Sequence, residues 1–419
     1  MTSQLIITLA ILAFMIVMFV WQKFPMGVTT MTCCALLAAF GILSPSEAFG
    51  GFTNNSIILV APMMALSSAI TKTSIVPYIR NKVNSLSGKK GIVLILFFYL
   101  IVIAFVQFIP ATATFSIMIV FLASLSNDGE VTPTRLLMPM LGISCAWKGF
   151  LPIGMGATSF ATINAIYGTI ITDEGYWLGM FDKFRVSILP VVCLTIYCLV
   201  AWKLLPKRGT VNAAEAKEVK ETKTLPKAQE TLVYVVFIAV MAVLVLNKWT
   251  GKLMYVAPAL GVLVLIYGKA LTADMIFLMA GVLGVAAAMT KSGAGDLIGN
   301  AILGVLGGHP SSLAVMFLFS TVCIIMTTLM SNSATSNILY TVGATVCLAG
   351  GWDPRGIMLI VAIANVISLG FPSGAAETAL IYAAGNYKLS QVAKFTVPYI
   401  LIAIVTISLS ANFFFPIYG

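Results

Sequence analysis

From Ser311 to Leu348 the chain runs 38 residues without a charged side chain. A membrane crossing takes about 20 predominantly apolar residues, so this segment is too long for one span and too apolar for water. The segments 92–124, 136–168 and 354–384 are overlong in the same way, and each is interrupted by Pro, Gly, Ser and Thr. Backbone in lipid must satisfy its own polar groups, so non-helical turns survive there only when buried in protein or facing a wet cavity. Each overlong segment is therefore expected to be a re-entrant hairpin or a broken helix.

Of 419 residues, 60% are hydrophobic and 9% charged, against roughly 45–50% and about 25% in soluble domains. That balance excludes a soluble enzyme, a disordered chain and a secreted disulfide scaffold. Further spans are expected near 4–21, 27–44, 54–72, 185–205, 232–248, 254–268, 273–290 and 394–416. The fold class is an all-α polytopic membrane protein, with about 11 membrane helices plus two hairpins, multi-pass in the cell membrane. Its partner is the lipid bilayer; no nucleic acid is expected, because the net charge of +10 sits in loops such as Arg80–Lys90 and Lys203–Glu230. With those loops inside, 17 basic residues are cytoplasmic, six are outside, and Lys148 is left in the membrane. Leu5–Val20 lacks a basic flank and a cleavage site, so a retained first helix is expected. The seven cysteines lie in apolar stretches without metal-ligand spacing and read as packing residues. Five tryptophans fall near span ends; Trp147 does not.

The polar linker 206–230 divides the chain into related halves, 27–205 and 231–419, with 1–26 as an N-terminal helix. Residues 53–75 align with 272–294 at an offset of 219, seven of 23 positions being identical. Residues 135–158 align with 355–378 at an offset of 220, matching Pro152 with Pro372, Gly154 with Gly374 and Thr158 with Thr378. Each half has a hairpin (92–124, 311–348) and a broken helix (136–168, 354–384) plus an odd number of full crossings. The halves should then be inverted relative to each other, a transporter design with its site near the membrane midplane.

Four polar interruptions mark that site. The hairpin tips are Pro110-Ala111-Thr112-Ala113-Thr114 and Ser331-Asn332-Ser333-Ala334-Thr335; the breaks carry PIGMGAT (152–158) and PSGAAET (372–378). Thr112, Ala113, Thr114, Thr158, Ser331, Asn332, Ser333, Thr335, Ala375 and Thr378 are the expected substrate contacts. Half-helix N-termini there present N–H groups to anions, and freed carbonyls suit cations.

These tips, the paired Pro-x-Gly breaks and the phrase GFTNNSIILVAPMMALSSAITKTSI resemble the divalent anion:sodium symporter family, carriers of dicarboxylates, citrate and sulfate within the ion transporter superfamily. The resemblance implies a homodimer with elevator-like transport domains, a small anionic solute as substrate and sodium as the coupling ion, with no other cofactor. It also implies that Thr327, Asn332 and Gly374 are ligands of the second sodium. The first tip departs from the family pattern, because Pro110-Ala111-Thr112 stands where Ser-Asn-Thr is expected.

Two intramembrane charges stand out. Lys148 lies four residues before Pro152, where the family tends to have glycine, and a lysine at that depth is costly without a partner. We read its ammonium as a tethered substitute for the first sodium. Transport would then be coupled to one sodium, proton-coupled, or exchange. Glu377 is the acidic residue placed deep in a span; it is a cation ligand, a proton carrier or the partner of Lys148. The alternative function is a cation/proton antiporter of the same superfamily using Glu377. An enzyme is disfavoured because no catalytic constellation falls in the spans, and a primary pump because no phosphate-binding loop occurs. His309, the single histidine, precedes Pro310 and reads as incidental; Asn365 reads as a helix–helix hydrogen bond.

Overall fold

The computed structural model describes residues 3–21, 26–50, 73–74, 91–107, 111, 114–115, 118–119, 122, 131–171, 173–207, 226–245, 291–292, 310–329, 332–372 and 375–418. The expected spans 54–72, 254–268 and 273–290, together with His309, Thr112, Ala113, Ser331 and Gly374, lie outside these residues. The regular elements described are all helical. The first half holds α1 (Ser3–Trp21), α2 (Met26–Ala39), the short α3 (Pro45–Ala48), α4 (Ile92–Val106), α5 (Pro133–Trp147), α6 (Met155–Ile170) and α7 (Asp182–Ala201). After the linker come α8 (Lys227–Val245), α9 (Ser312–Leu329), α10 (Asn332–Gly350), α11 (Arg355–Ala364), α12 (Ala376–Ala384) and α13 (Leu389–Phe414).

Among the described residues, three helices are long and apolar enough to cross a membrane: α7 with its 3-10 extension to Leu204, α9 and α13. The overlong segments divide where the sequence turns polar. α4 stops at Val106, α5 and α6 are separated by 148–154, α9 ends at Leu329 and α10 begins at Asn332, and α11 ends at Ala364 and α12 begins at Ala376. At nine and ten residues, α12 and α11 are each roughly 15 Å long, about half a crossing.

The outer faces are apolar. Leu189, Val192, Ile196 and Val200 form an exposed stripe on α7, and Val397, Leu401, Val405 and Leu409 another on α13. Their spacing of three or four residues puts each set on one helix face. A water-soluble helix would carry polar residues there. With the uncharged spans behind them, these stripes make the chain a membrane protein.

α5 is the strut that positions the site. Pro133 occupies its first turn, where a missing N–H costs nothing. Thr134 Oγ1 donates to Pro206 O at 3.0 Å and Arg135 Nε to Leu205 O at 3.2 Å, clamping its start to the end of α7. Tyr387 OH donates to Thr134 O. At mid-length α5, α7 and α13 converge on Gly142, whose carbonyl accepts from Tyr399 OH at 2.6 Å. A Cβ there would stand 2.9 Å from both Cys198 Sγ and Tyr399 Cε2, so a small residue is required for the close approach. Six of the seven cysteines are buried and all are free thiols, as packing residues would be.

Candidate functional site

The first break begins where α5 ends. Lys148 leaves helical geometry (φ −61°, ψ 112°) and Gly149 takes φ +65°, a conformation that side-chain-bearing residues avoid. This frees backbone groups that lipid cannot satisfy. Gln107, one residue past the end of α4, supplies them. Its Nε2 donates to Trp147 O at 2.7 Å, its Oε1 accepts from Leu151 N at 3.4 Å, and its own carbonyl accepts from Met155 N at 2.9 Å, capping the start of α6. Trp147, which falls outside the aromatic belt, donates Nε1–H to Thr195 Oγ1 at 2.9 Å and so has a polar partner at depth.

The second break is held by hydroxyls. Thr327 Oγ1 on α9 lies within hydrogen-bond distance of Asn365 O and 2.8 Å from Asn332 Oδ1 at the start of α10. Asn365 thus takes part in a hydrogen bond between helices through its backbone carbonyl. From α12, Thr378 Oγ1 donates to Ser368 O at 3.1 Å, and Tyr382 OH reaches Leu369 O and Gly370 O at 3.3 and 3.1 Å. One hydroxyl proton cannot serve both oxygens facing Thr327. Either Asn332 turns its NH2 toward Thr327, or the three oxygens together face a cation. Among the described residues no cluster of three His, Cys, Asp or Glu side chains offers a charged metal site.

An ion pair joins the two breaks. Lys148 Nζ lies 3.5 Å from Glu377 Oε1, and the side chains are 21% and 12% exposed. Glu377 is in the first turn of α12, where the helix dipole favours a negative charge. Residues 229 apart in sequence therefore meet in a part-buried contact. α12 also packs on α5, and α10 and α11 pack on α6, so both halves surround this point.

Several expected contacts occupy positions inside the protein. Thr114, Thr335 and Thr378 are fully buried. Thr378 is committed to Ser368 O, and the hydroxyls of Thr335 and Ser368 have no hydrogen-bond partner. Asn332, Ser333 and Ala375 are partly exposed, and Thr158 lies in the second turn of α6. Sequence reasoning passed over Gln107 and over Lys183. The latter is among the six basic residues assigned outside, yet it is only 9% exposed.

Residues 16–362 match the sequence profile of the citrate transporter family. The chain belongs to that family. That family is one of membrane transporters, not of enzymes, in agreement with the divalent anion:sodium symporter resemblance. Other members of this neighbourhood are distant. An uncharacterised transporter of Haemophilus influenzae is 21% identical over 96% of this chain and 90% of its own length. An uncharacterised transporter of Synechocystis is 26% identical over 52% of this chain and 36% of its own length. The chain therefore spans about a third of that relative. The sodium-dependent high-affinity dicarboxylate transporter 3 of Caenorhabditis elegans is 27% identical over 29% of this chain and 21% of its own. In fold, the chain is similar to the crystal structure of the YdaH transporter of Alcanivorax borkumensis. The TM-score is 0.63 at 15% identity, covering 96% of this chain and 98% of that one.

Proposed function

We propose that this chain is a secondary transporter of small organic anions, di- or tricarboxylates, working as a homodimer by elevator-type alternating access in the cell membrane. Its two halves, 27–205 and 231–419, act as inverted copies that bring their interruptions to the membrane midplane. The observation that carries this reading is the Lys148–Glu377 pair between the two breaks. A fixed ammonium at the first break takes the place of a sodium ion, and Glu377 holds it in position without a mobile ion. Sodium binds once, between Thr327 Oγ1, Asn332 Oδ1 and Asn365 O, with a further ligand from the segment at Gly374. Those neutral oxygens suit a small hard cation. Support for carboxylates comes from the family match and from the dicarboxylate carrier among the relatives.

The test is uptake of radiolabelled citrate and succinate into proteoliposomes under an inward sodium gradient, a proton gradient, or internal carboxylate. Saturable uptake of at least one carboxylate, rising with the first power of sodium concentration, is expected. Absence of carboxylate binding and uptake, with sodium-dependent proton release instead, would establish the antiporter reading and overturn this one.

A further inference from the structure

Lys183 is the feature that the proposed ion pair leaves unexplained. It sits in the first turn of α7, only 9% exposed. That is the wrong end of a helix for a cation, because the dipole there is positive. Its ammonium points at the first break: a Cβ built on Gly149 would lie 3.1 Å from Lys183 Nζ. Aromatic rings hold this arrangement, with Phe150 of the break 4.8 Å from Phe184 of α7 and 5.0 Å from Trp147. Lys183 is near enough to Lys148 for the two positive charges to act on each other.

Among the described residues, the carboxylates nearest to the first break are engaged elsewhere. Among the described residues no carboxylate oxygen lies within 4.0 Å of Lys183 Nζ. The neighbouring Asp182 accepts from Gly179 N at 2.7 Å and pairs with Arg185 at 3.6 Å. Glu377 pairs with Lys148. Among the described residues the break thus holds two lysines and one glutamate, a surplus of one positive charge where burial makes an uncompensated charge costly. Both lysines flank the same kink, which faces α12 and its Glu377.

We infer that Lys183 is a substrate-binding residue, the counter-ion for one carboxylate of the transported anion, and that it makes the site prefer solutes with two or more carboxylates. The inference rests on the anion-carrier reading above and names a contact that reading does not need. When the site is empty, Lys183 is a strained cation; when it is filled, the substrate neutralises the surplus charge.

The experiment uses the full chain in nanodiscs, measuring binding of succinate, citrate and the monocarboxylate butyrate by calorimetry, and ligand-free melting temperature. For Lys183→Gln and Lys183→Met, succinate and citrate affinity should fall about ten- to a hundredfold, the scale of a charge-assisted hydrogen bond. Butyrate affinity should change less, and Lys183→Arg should retain most of the binding. Ligand-free melting temperature should hold or rise in the Met variant, because a buried unpaired charge has gone. Unchanged succinate and citrate affinity in either neutral variant would overturn the assignment while leaving the anion-carrier reading intact. A lower ligand-free melting temperature with wild-type affinity would make Lys183 structural and overturn it as well. A wild-type protein that binds none of the three probes would overturn the carrier reading itself, and this assignment with it.

Discussion

The two breaks solve one physical problem with different chemistry. At an offset of 220 residues, Gln107 corresponds to Thr327, Lys148 to Ser368 and Ala157 to Glu377. Gln107 ties the end of α4 to Trp147 O, and Thr327 ties α9 to Asn365 O. At the first break the tie is an amide that bonds on both sides, and the site carries a fixed ammonium. At the second the tie is a hydroxyl among neutral oxygens, and position 368 keeps only a buried, unpartnered serine hydroxyl. The second environment is where the proposal places sodium; the first already contains an ammonium. The contrast is what the proposed function turns on: a fixed side-chain cation at one break and a set of neutral oxygens at the other.

The largest expected effect comes from unbalancing the ion pair. Lys148→Met takes from Glu377 its ammonium at 3.5 Å. The pair is part-buried and Lys183 remains beside the first break, so the loss should fall below the about 3–5 kcal/mol of a fully buried broken pair. The double variant Lys148→Met/Glu377→Met should regain most of that loss in thermal unfolding but not transport. Recovery of neither, or of both, would show that the pair is not the joint between the halves.

Next comes Gln107→Leu, which leaves Leu151 N without its acceptor and takes from Trp147 O one of its two donors, Phe150 N remaining at 3.0 Å. An unsatisfied buried group costs about 1–3 kcal/mol, so melting temperature should fall clearly. The corresponding Thr327→Val should be milder in stability and specific in effect, raising the sodium concentration for half-maximal uptake by about tenfold. Thr327→Ser should restore it. Equal sodium dependence in the valine variant would remove the second break from the coupling mechanism.

The smallest effect lies outside the apolar helices. Glu47 caps α3 through Ser44 and meets Lys291 Nζ at 2.8 Å. The hydrogen bond from Lys291, then those from Ser44, lower its pKa from 4.5 to about 2. A carboxylate with a depressed folded pKa stabilises above its unfolded value and loses that contribution as pH falls. The contact should hold above pH 4.5 and dissolve between 4.5 and 2, read by hydrogen exchange at residues 44–48. Glu47→Gln should show no transition in that window. Both side chains are about half exposed, so transport at neutral pH should be unaffected.

Much of this site was legible in the sequence because it depends on residues that lipid penalises. Pro152 and Pro372, each followed two residues on by glycine, marked the chain breaks. Lys148 and Glu377 were conspicuous as charges within apolar segments. Thr327 and Asn332 followed from the second tip's resemblance to the family. Gln107 was not legible: a single amide in an apolar run has no periodic signature, and its partners are backbone groups about 40 residues away. Lys183 was hidden by its place at a span end, where a cation normally faces water. Its inward placement beside Gly149, next to the Phe184–Phe150 ring contact, appears in the fold and not in the sequence. The buried positions of Thr335 and Thr378 also required the fold, since hydroxyls serving backbone carbonyls and hydroxyls serving a ligand look alike in a sequence.

The most direct test replaces Lys148 with Ala and compares citrate and succinate uptake with the wild type, with and without sodium, at matched protein incorporation. Loss of uptake, or a changed ion requirement, is the predicted result, because the first break would no longer hold its built-in cation. Wild-type uptake rate with unaltered ion dependence would contradict the idea that a side chain has replaced the ion.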